Sequence, residues 1–182
     1  RTADRVAPHN AYTSWNGIMD SVAKKGYDTV YPQDFVKPFI FNAEDDKQVQ
    51  IAGGETCNTF YPGYPYNKPW FEYDESTGEY LRFQFDDAQI DAETGEQLSY
   101  KNILVKYVEP DYYENGTPNY KVDGTGVGLF ITNGKAVRVT WKKDSEISGP
   151  TKYYYEDGME IVLNQGKTYI CQVETTRLSK AE

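Results

Sequence analysis

The sequence has little of what membrane spans and nucleic-acid contacts require. No apolar run approaches the roughly 20 residues that a membrane-spanning helix needs. Basic residues number 19 against 28 acidic ones, which gives a net charge of −9, and no stretch gathers Lys or Arg on one predicted face. Binding to the phosphates of a nucleic acid, or to anionic lipid, is therefore not expected.

Residues that bind metals or form disulfides are also scarce. The chain has one histidine, His9, and two cysteines, Cys57 and Cys171, and neither cysteine has a second Cys or His nearby in sequence. We therefore predict no metal site and no cofactor. In the run TYICQV, Cys171 alternates with Tyr169 and Val173, which favours a buried thiol on a strand. A Cys57–Cys171 disulfide, typical of an oxidising compartment, is the alternative.

Aromatic residues, by contrast, are abundant. The sequence has 17 Tyr, 8 Phe and 3 Trp, and such rings, together with β-branched residues, favour strands over helices. From residue 49 onward, short runs with a period of two, beginning with VQIA, alternate with turn clusters. We predict an α+β, mostly β fold, with an antiparallel sheet or partly closed barrel built from hairpins and one N-terminal amphipathic helix.

The segment 124–143, GTGVGLFITNGKAVRVTWKK, gives the strongest local prediction. Asn133-Gly134 separates two β-rich runs, and a type I′ turn needs positive φ at two successive residues, which Asn and Gly accept most cheaply. The predicted register pairs Gly126 with Trp141, Gly128 with Val139, Phe130 with Val137, Leu129 with Arg138 and Ile131 with Ala136. The glycines leave room for the indole to lie over bare backbone. We interpret them as structural, because a phosphate-binding loop would be followed by a helix.

Other turn signals predict further hairpins. Asp157-Gly158 predicts a second two-residue turn, in a register that pairs Tyr154 with Ile161 and Tyr153 with Val162. The acidic clusters DESTGE and DAETGEQ are interpreted as hairpin turns. A weak calcium site is the alternative there, although both clusters lack the length of an EF-hand loop.

The N-terminal part predicts one helix followed by a linker. Thr13 or Ser14 is a suitable N-cap, and the segment ends at Gly26. Between them, apolar residues recur at helical spacing, namely Trp15, Ile18, Met19 and Val22. Prolines and acidic residues in 27–48 indicate a linker. We therefore predict that 1–40 is the remnant of an N-terminal domain and that 41–182 is a C-terminal β-rich domain.

The first candidate binding residues surround the single histidine. His9, flanked by Asn10 and preceded by Arg5, is a candidate for ligand contact or general base catalysis, since imidazole titrates near neutral pH. The alternative is that these side chains make local hydrogen bonds that fix the entry to the helix. No nucleophile or orienting carboxylate is singled out by the sequence, so we predict no catalytic residue.

The second candidate is the proline-stiffened loop YPGYPYNKP, which holds Tyr61, Tyr64 and Tyr66 and is followed by Trp70. Flat rings held in this way suit stacking on sugar rings or on a protein partner. The alternative is that the rings cover the open end of the sheet. A further possible surface is the mixed face of the main hairpin, where Leu129 and Ile131 would receive an N-terminal portion of the same protein.

Several of these motifs occur together in one known family. The order APHNAYTS, FEYDESTGEYLR, QIDAETGEQLSYKNILV, GTGVGLFITNGKAVRVTWKK and TKYYYEDGMEIVLNQGKTYICQV resembles the DUF3048 family of bacterial envelope lipoproteins, whose function is unknown. The resemblance covers nearly the whole chain. It implies the end of the N-terminal domain followed by the C-terminal domain, in a trimmed or cleaved fragment held outside the cytoplasmic membrane by a lipid anchor that this chain does not contain. It implies no reaction.

We therefore expect an extracytoplasmic module that binds a cell-envelope component, such as peptidoglycan, or a partner protein, without catalysis. The alternative is a cell-wall-directed hydrolase whose active site is completed by an N-terminal portion and includes His9. Expected partners also include that N-terminal portion itself, and they exclude nucleic acid.

Overall fold

A computed structural model describes residues 6–7, 10–43, 48–51, 53–145, 149–177 and 179–182. The chain divides into two compact units, Arg1–Val36 and Lys37–Glu182. The assignment of 1–40 and 41–182 to two domains stays a prediction. No helix among the described residues is both long and apolar enough to cross a membrane.

The N-terminal unit contains the predicted helix, α1, Trp15–Lys25. The Ser14 hydroxyl accepts a hydrogen bond from the Gly17 amide at 3.1 Å and so caps the first turn. Gly26 ends the helix in the left-handed region, with φ of 66°. The predicted caps are both confirmed, with Ser14 as the N-cap.

The second unit is built from fourteen short strands in the described residues. Their bounds are β1 Ile40–Phe41, β2 Glu55–Thr56, β3 Thr59–Tyr61, β4 Trp70–Asp74, β5 Glu79–Gln84, β6 Asp87–Ala88, β7 Ser99–Tyr100, β8 Asn102–Val108, β9 Gly124–Thr132, β10 Lys135–Lys143, β11 Lys152–Tyr154, β12 Val162–Leu163, β13 Thr168–Glu174 and β14 Lys180–Ala181. The mostly β prediction is confirmed. The described part of the run VQIA, residues 49–51, was predicted to be a strand but is irregular, although Ile51 is buried.

The strands form three open sheets, and no sheet of the described residues closes into a barrel. The central sheet has the order β11-β10-β9-β8-β13, with β2 also paired to β10. A second sheet has the order β14-β3-β4-β5-β6, with β7 also paired to β5, and β1 pairs with β12 alone. Most neighbours are antiparallel, as predicted, but β8–β13 and β1–β12 are parallel.

The central sheet packs on both faces, which explains why β8 is apolar along nearly its whole length. One face meets the second sheet in a cluster that contains Cys57, Phe60, Phe71, Tyr80, Ile103, Val105, Ile131, Ala136, Cys171 and Val173. The opposite face holds Ile51, Leu104, Val108, Phe130, Val139, Trp141, Tyr153, Ile161 and Leu163. Ile131 is thus fully buried, so the prediction that it offers a docking surface is wrong, because the second sheet already covers it.

The main hairpin is confirmed in every predicted pair. Asn133 and Gly134 have φ of 50° and 69°, as a type I′ turn requires. A Cβ on Gly126 would lie 2.7 Å from the indole of Trp141, so the ring does rest on bare backbone. Gly128 has a different reason from the predicted one, since its Cβ would collide with the carbonyl oxygen of Val105 on β8.

The second hairpin is shifted by one residue from its predicted register. Tyr154 pairs with Glu160, not with Ile161, and the Ile161 amide donates to the carbonyl of Tyr153 at 3.0 Å. The loop has three residues because only Gly158, with φ of 85°, lies in the left-handed region. Asp157 instead accepts a hydrogen bond from the Met159 amide at 2.9 Å. This geometry is typical of a type I turn followed by a bulge.

Both cysteines are free and buried, as the buried-thiol interpretation of Cys171 predicted. Burial raises the pKa of the Cys57 thiol, and likewise that of Cys171, to about 12. Since the thiolate is the reactive form, both thiols are expected to be inert in the folded protein.

Thiol titration with Ellman's reagent at pH 8 checks this expectation. We expect modification to be at least about 100-fold slower in the native protein than in guanidinium. Rapid labelling of two thiols in the native protein would contradict the placement of both side chains.

The same pKa values predict a pH dependence of stability. Because the folded pKa values lie above the ordinary value of about 9, the unfolded state loses these protons first, and the free energy of unfolding falls as the pH rises from about 9 towards 12.

Candidate functional site

The residues predicted around the histidine are only partly described. Arg5 and His9 lie outside the described residues, and Asn10 lies in a turn of the N-terminal unit. Their proposed roles stay predictions. The aromatic candidates all belong to the second unit, where their geometry is defined.

The aromatic loop 62–69 is an ordered connection between β3 and β4, as predicted. Two buried prolines, Pro62 and Pro69, fix its ends. The half-buried Tyr64 donates its hydroxyl hydrogen to the carbonyl of Gln172 on β13 at 2.7 Å. Its burial raises the pKa of the phenol above its ordinary value. Tyr64 therefore packs over the sheet, as one of the two alternatives predicted, and its role in ligand binding stays a prediction.

Tyr66 behaves differently from its neighbour. It is 85% exposed and lies perpendicular to the ring of Phe85, itself 57% exposed, with 5.7 Å between the ring centroids. In such an edge-to-face pair, each ring keeps at least one face that its partner does not cover. Phe85 was not among the predicted site residues, because a phenylalanine at the end of a strand gives no signal in sequence that its ring points outward.

Trp70 forms a second ring pair on the same segments. It stacks on Phe83 of β5 with the centroids 4.8 Å apart and the planes within 9° of parallel. The indole nitrogen donates to Oε1 of Glu72 at 2.8 Å, which fixes the orientation of the ring. Both rings are half-buried. We call Tyr66, Trp70, Phe83 and Phe85 together the aromatic surface.

The backbone beneath the aromatic surface is strained. Four non-glycine residues in the described chain have positive φ, and Lys68, Phe85 and Asp86 are three of them, at 40°, 53° and 62°. The fourth is Asn133, which suits its turn. Phe85 and Asp86 form the two-residue turn between β5 and β6, at positions that strongly prefer Asn or Gly. Such strain persists where the surroundings impose it, and it is concentrated at functional sites.

Hydrogen bonds hold the loop and the strained turn together. The Phe85 amide donates to the carbonyl of Asn67 at 2.9 Å. The Asn67 side-chain amide donates to Oε1 of Gln84 at 3.1 Å. The rings are therefore presented by a fixed backbone, which lowers the entropy that a ligand would otherwise have to remove on binding.

A polar cluster around Glu174 is held together by its own hydrogen bonds. Glu174 accepts hydrogen bonds from Tyr120 at 2.7 Å and Arg177 at 2.9 Å, and these bonds hold the pKa of its carboxyl below the ordinary range. With Tyr64, these residues line a cavity of about 200 Å³. A carboxylate stabilised in this way is a poor general acid or base at neutral pH.

Lys106 is a buried cation that the sequence analysis missed. It faces Gly128 across the β8–β9 ladder, and its amine lies 4.1 Å from the centroid of the Trp141 ring. It also donates to the carbonyl of Val122 and, at 3.4 Å, to the Thr151 hydroxyl. Burial, and secondly the charge of Lys143, lower its pKa. Because a ring, a carbonyl and a hydroxyl surround the amine, we interpret Lys106 as a structural cation.

The acidic loops are turns, as interpreted from the sequence. Asp74 accepts hydrogen bonds from the Ser76 amide and hydroxyl, and Asp91 accepts from the amides of Glu93 and Thr94. These bonds lower the pKa of both carboxyls. Among the residues that the structure describes, no three His, Cys, Asp or Glu side chains group as a metal site would require.

The fold and this surface define a mostly β protein with a layered core and two aromatic ring pairs, one exposed and one half-buried. The chain belongs to the DUF3048 family, since residues 60–170 match the family model described as "Protein of unknown function (DUF3048) C-terminal domain". The matched range includes all four residues of the aromatic surface. The resemblance noted in the sequence is thereby confirmed.

A curated protein and a solved structure are also similar to this chain. "Putative lipoprotein YerB" of Bacillus subtilis (strain 168) is 26% identical over 187 residues, covering 96% of this chain and 52% of the relative. The crystal structure of the YerB protein from Bacillus subtilis matches with a TM-score of 0.75 at 24% identity, over 95% of this chain and 55% of that one. The chain thus shares the YerB fold and spans about half the length of that relative.

Proposed function

We propose that this chain is a non-enzymatic, extracytoplasmic binding module that recognises a glycan of the cell envelope through the aromatic surface. The observation that carries the proposal is the strained turn at Phe85 and Asp86, which presents an exposed ring beside Tyr66. A folding role does not explain a phenylalanine there. The ring is 57% exposed, and the positive φ of the backbone at this position is unfavourable for a bulky side chain.

The chemistry of the surface suits a sugar ring. The axial C–H groups of a pyranose make a flat apolar face, which packs on the electron-rich face of an aromatic ring. Exposed polar groups border the rings, including Lys68 and Glu72, and can hydrogen-bond to sugar hydroxyls. The chain's net charge of −9 disfavours anionic polymers, so a neutral or amino-sugar glycan, such as the glycan strand of peptidoglycan, is the proposed ligand.

The location is part of the same proposal. The name of the curated relative describes a lipoprotein, and a lipid-anchored protein outside the cytoplasmic membrane would meet the cell wall directly. We infer the same location for this protein.

The test is retention on purified peptidoglycan, measured for the wild-type chain and for Phe85→Asn. Asn accepts positive φ more readily than Phe, so the substitution should raise the free energy of unfolding by about 0.5 to 1 kcal/mol. It should also weaken retention about tenfold, because the exposed ring is lost. A more stable protein that binds less would separate ligand binding from folding.

Two matched variants complete the experiment. Asp86→Gly relieves strain in the same turn without removing a ring and should leave retention unchanged. Tyr113→Ala removes a ring that is also 57% exposed but lies outside the aromatic surface, and it too should have no effect. Equal losses in Phe85→Asn and Tyr113→Ala would contradict the proposal, as would release of soluble sugar fragments that is abolished by His9→Ala.

A further inference from the structure

The outer edge of β10 is interrupted between two short partners. β2 pairs with Lys135 and Ala136, and β11 pairs with Thr140 to Lys142. Between these two contacts, no strand of the described residues pairs with 137–139 on that edge. An unpaired stretch of this kind offers free backbone donors and acceptors to another chain.

The register identifies which backbone groups are unpaired. In a two-residue hairpin the residues that flank the turn, Thr132 and Lys135, form a hydrogen-bonded pair, and such pairs recur at every second residue along the ladder. Odd-numbered residues of β10 therefore bond to β9, while even-numbered residues direct their N–H and C=O groups to the outer edge. Ala136 meets Glu55 there and Thr140 meets Tyr154, so the N–H and C=O of Arg138 face the gap.

A groove of about 900 Å³ lies at this gap. One wall is formed by Gln50, Gly53 and Glu55, and the other by the hairpin that follows β11, including Tyr155 and Met159. Because residues of both sheet faces line it, among them Leu129 and Val137, the groove runs over the sheet edge. Extended chain advances by about 3.3 Å per residue, so the gap accepts about three residues.

The charge of the groove selects among possible occupants. Its lining includes four carboxylates, Glu55, Glu156, Asp157 and Glu160, against the guanidinium of Arg138. Glu160 is paired with Lys152 at 2.7 Å, which leaves an excess of negative charge. A peptide with a cationic side chain matches this groove better than an acidic or neutral one.

We propose that this groove binds an extended peptide carrying a primary amine or guanidinium side chain. One residue of the peptide forms two backbone hydrogen bonds with Arg138, completing the edge of β10, and the cationic side chain lies among the carboxylates. The flanking side chains point to the opposite face of the sheet, where Val137 and Tyr155 line the groove. This site involves none of the four residues of the aromatic surface, so it stands independently of the proposed glycan binding.

The test uses four synthetic peptides that differ at one point. The parent is acetyl-Thr-Val-Lys-Val-Thr-amide. Its three relatives replace the lysine by norleucine, by glutamate, or by a lysine methylated on its backbone nitrogen (the N-methyl peptide), which lacks the backbone N–H donor. Binding is measured by NMR, from the changes in the backbone amide chemical shifts of the protein. We expect the parent to bind in the micromolar to millimolar range with its largest shift at Arg138, and both the glutamate and the N-methyl peptides to bind at least about tenfold more weakly.

A variant of the protein tests the charge directly. In Glu55→Gln/Glu156→Gln the preference for the lysine peptide over the norleucine peptide should fall about fivefold or more, whereas Glu75→Gln, at an exposed turn, should leave it unchanged. The proposal is overturned if the N-methyl peptide binds as well as the parent, if the shifts map away from Arg138, or if no peptide binds at millimolar concentration. Self-association of the chain that perturbs the Arg138 amide without peptide would instead make a second copy the occupant.

Discussion

Replacing Gly128 with alanine is expected to destabilise the protein more than any other glycine-to-alanine change in the main hairpin. The added Cβ would collide with the backbone carbonyl of Val105 on β8, and a backbone atom in a paired strand cannot move aside as a flexible side chain can. Overpacking usually costs about 1 to 3 kcal/mol, and we expect the upper end of that range or more. In a chain of this size, about 3 kcal/mol lowers Tm by roughly 6 to 12 °C.

Thermal and urea unfolding of two glycine variants would check this expectation. Gly95→Ala is the matched control, because no atom lies within 4 Å of its added Cβ and only the positive φ of 74° is penalised. That conformational cost is about 1 kcal/mol. Gly126→Ala should fall between the two, since its Cβ would press on the Trp141 ring, which can shift. A Gly128→Ala protein as stable as Gly95→Ala would show that β8 and β9 are farther apart than described.

The second large effect is expected at Asn102, the fully buried first residue of β8. Its side-chain amide donates to the carbonyl of Asn164 at 2.8 Å and to the Thr168 hydroxyl at 3.2 Å, and its oxygen accepts from the Asn164 amide at 3.1 Å. Asn164 in turn bonds to Val49 and to Thr132. One polar network therefore joins five separate segments inside the core.

Asn102→Leu keeps the approximate size of the side chain but leaves the N–H and C=O of Asn164 buried without partners. Each buried group left unsatisfied costs about 1 to 3 kcal/mol, so a loss of about 2 to 6 kcal/mol is expected. Thr168→Val is the control, since it removes a single long bond, and it should cost about 1 kcal/mol or less. Equal stabilities of the two variants in urea unfolding would show that the network contributes little.

Local chemistry explains which parts of the fold were predictable. The Asn133-Gly134 turn fixes the register of the main hairpin by itself, because both residues accept positive φ and the strands follow directly. The caps of α1 are local in the same sense. The second hairpin shows the limit, since Asp-Gly is compatible with either a two-residue or a three-residue loop, and the choice moves every later residue to the other face.

The candidate site was predictable only in part. Tyr66 and Trp70 were identified from a proline-rich loop, and Tyr64 was identified with them, yet the structure uses Tyr64 to cover the sheet. Phe83 and Phe85 complete the aromatic surface from a different hairpin. Nothing in their own segment distinguishes them from core residues, because their exposure depends on where a distant loop packs.

The sequence by itself determined the strand-rich class, the helix caps, the main hairpin and the pairing of a bare glycine with Trp141, all of which depend on residues close together along the chain. Only the tertiary structure decided the parallel pairing of β8 with β13, the two-sided burial of the central sheet, the strained turn at Phe85 and the gap beside Arg138. The physical reason is that these features arise from contacts between segments tens of residues apart. Their free energy comes from the shared burial of surfaces that no single segment specifies.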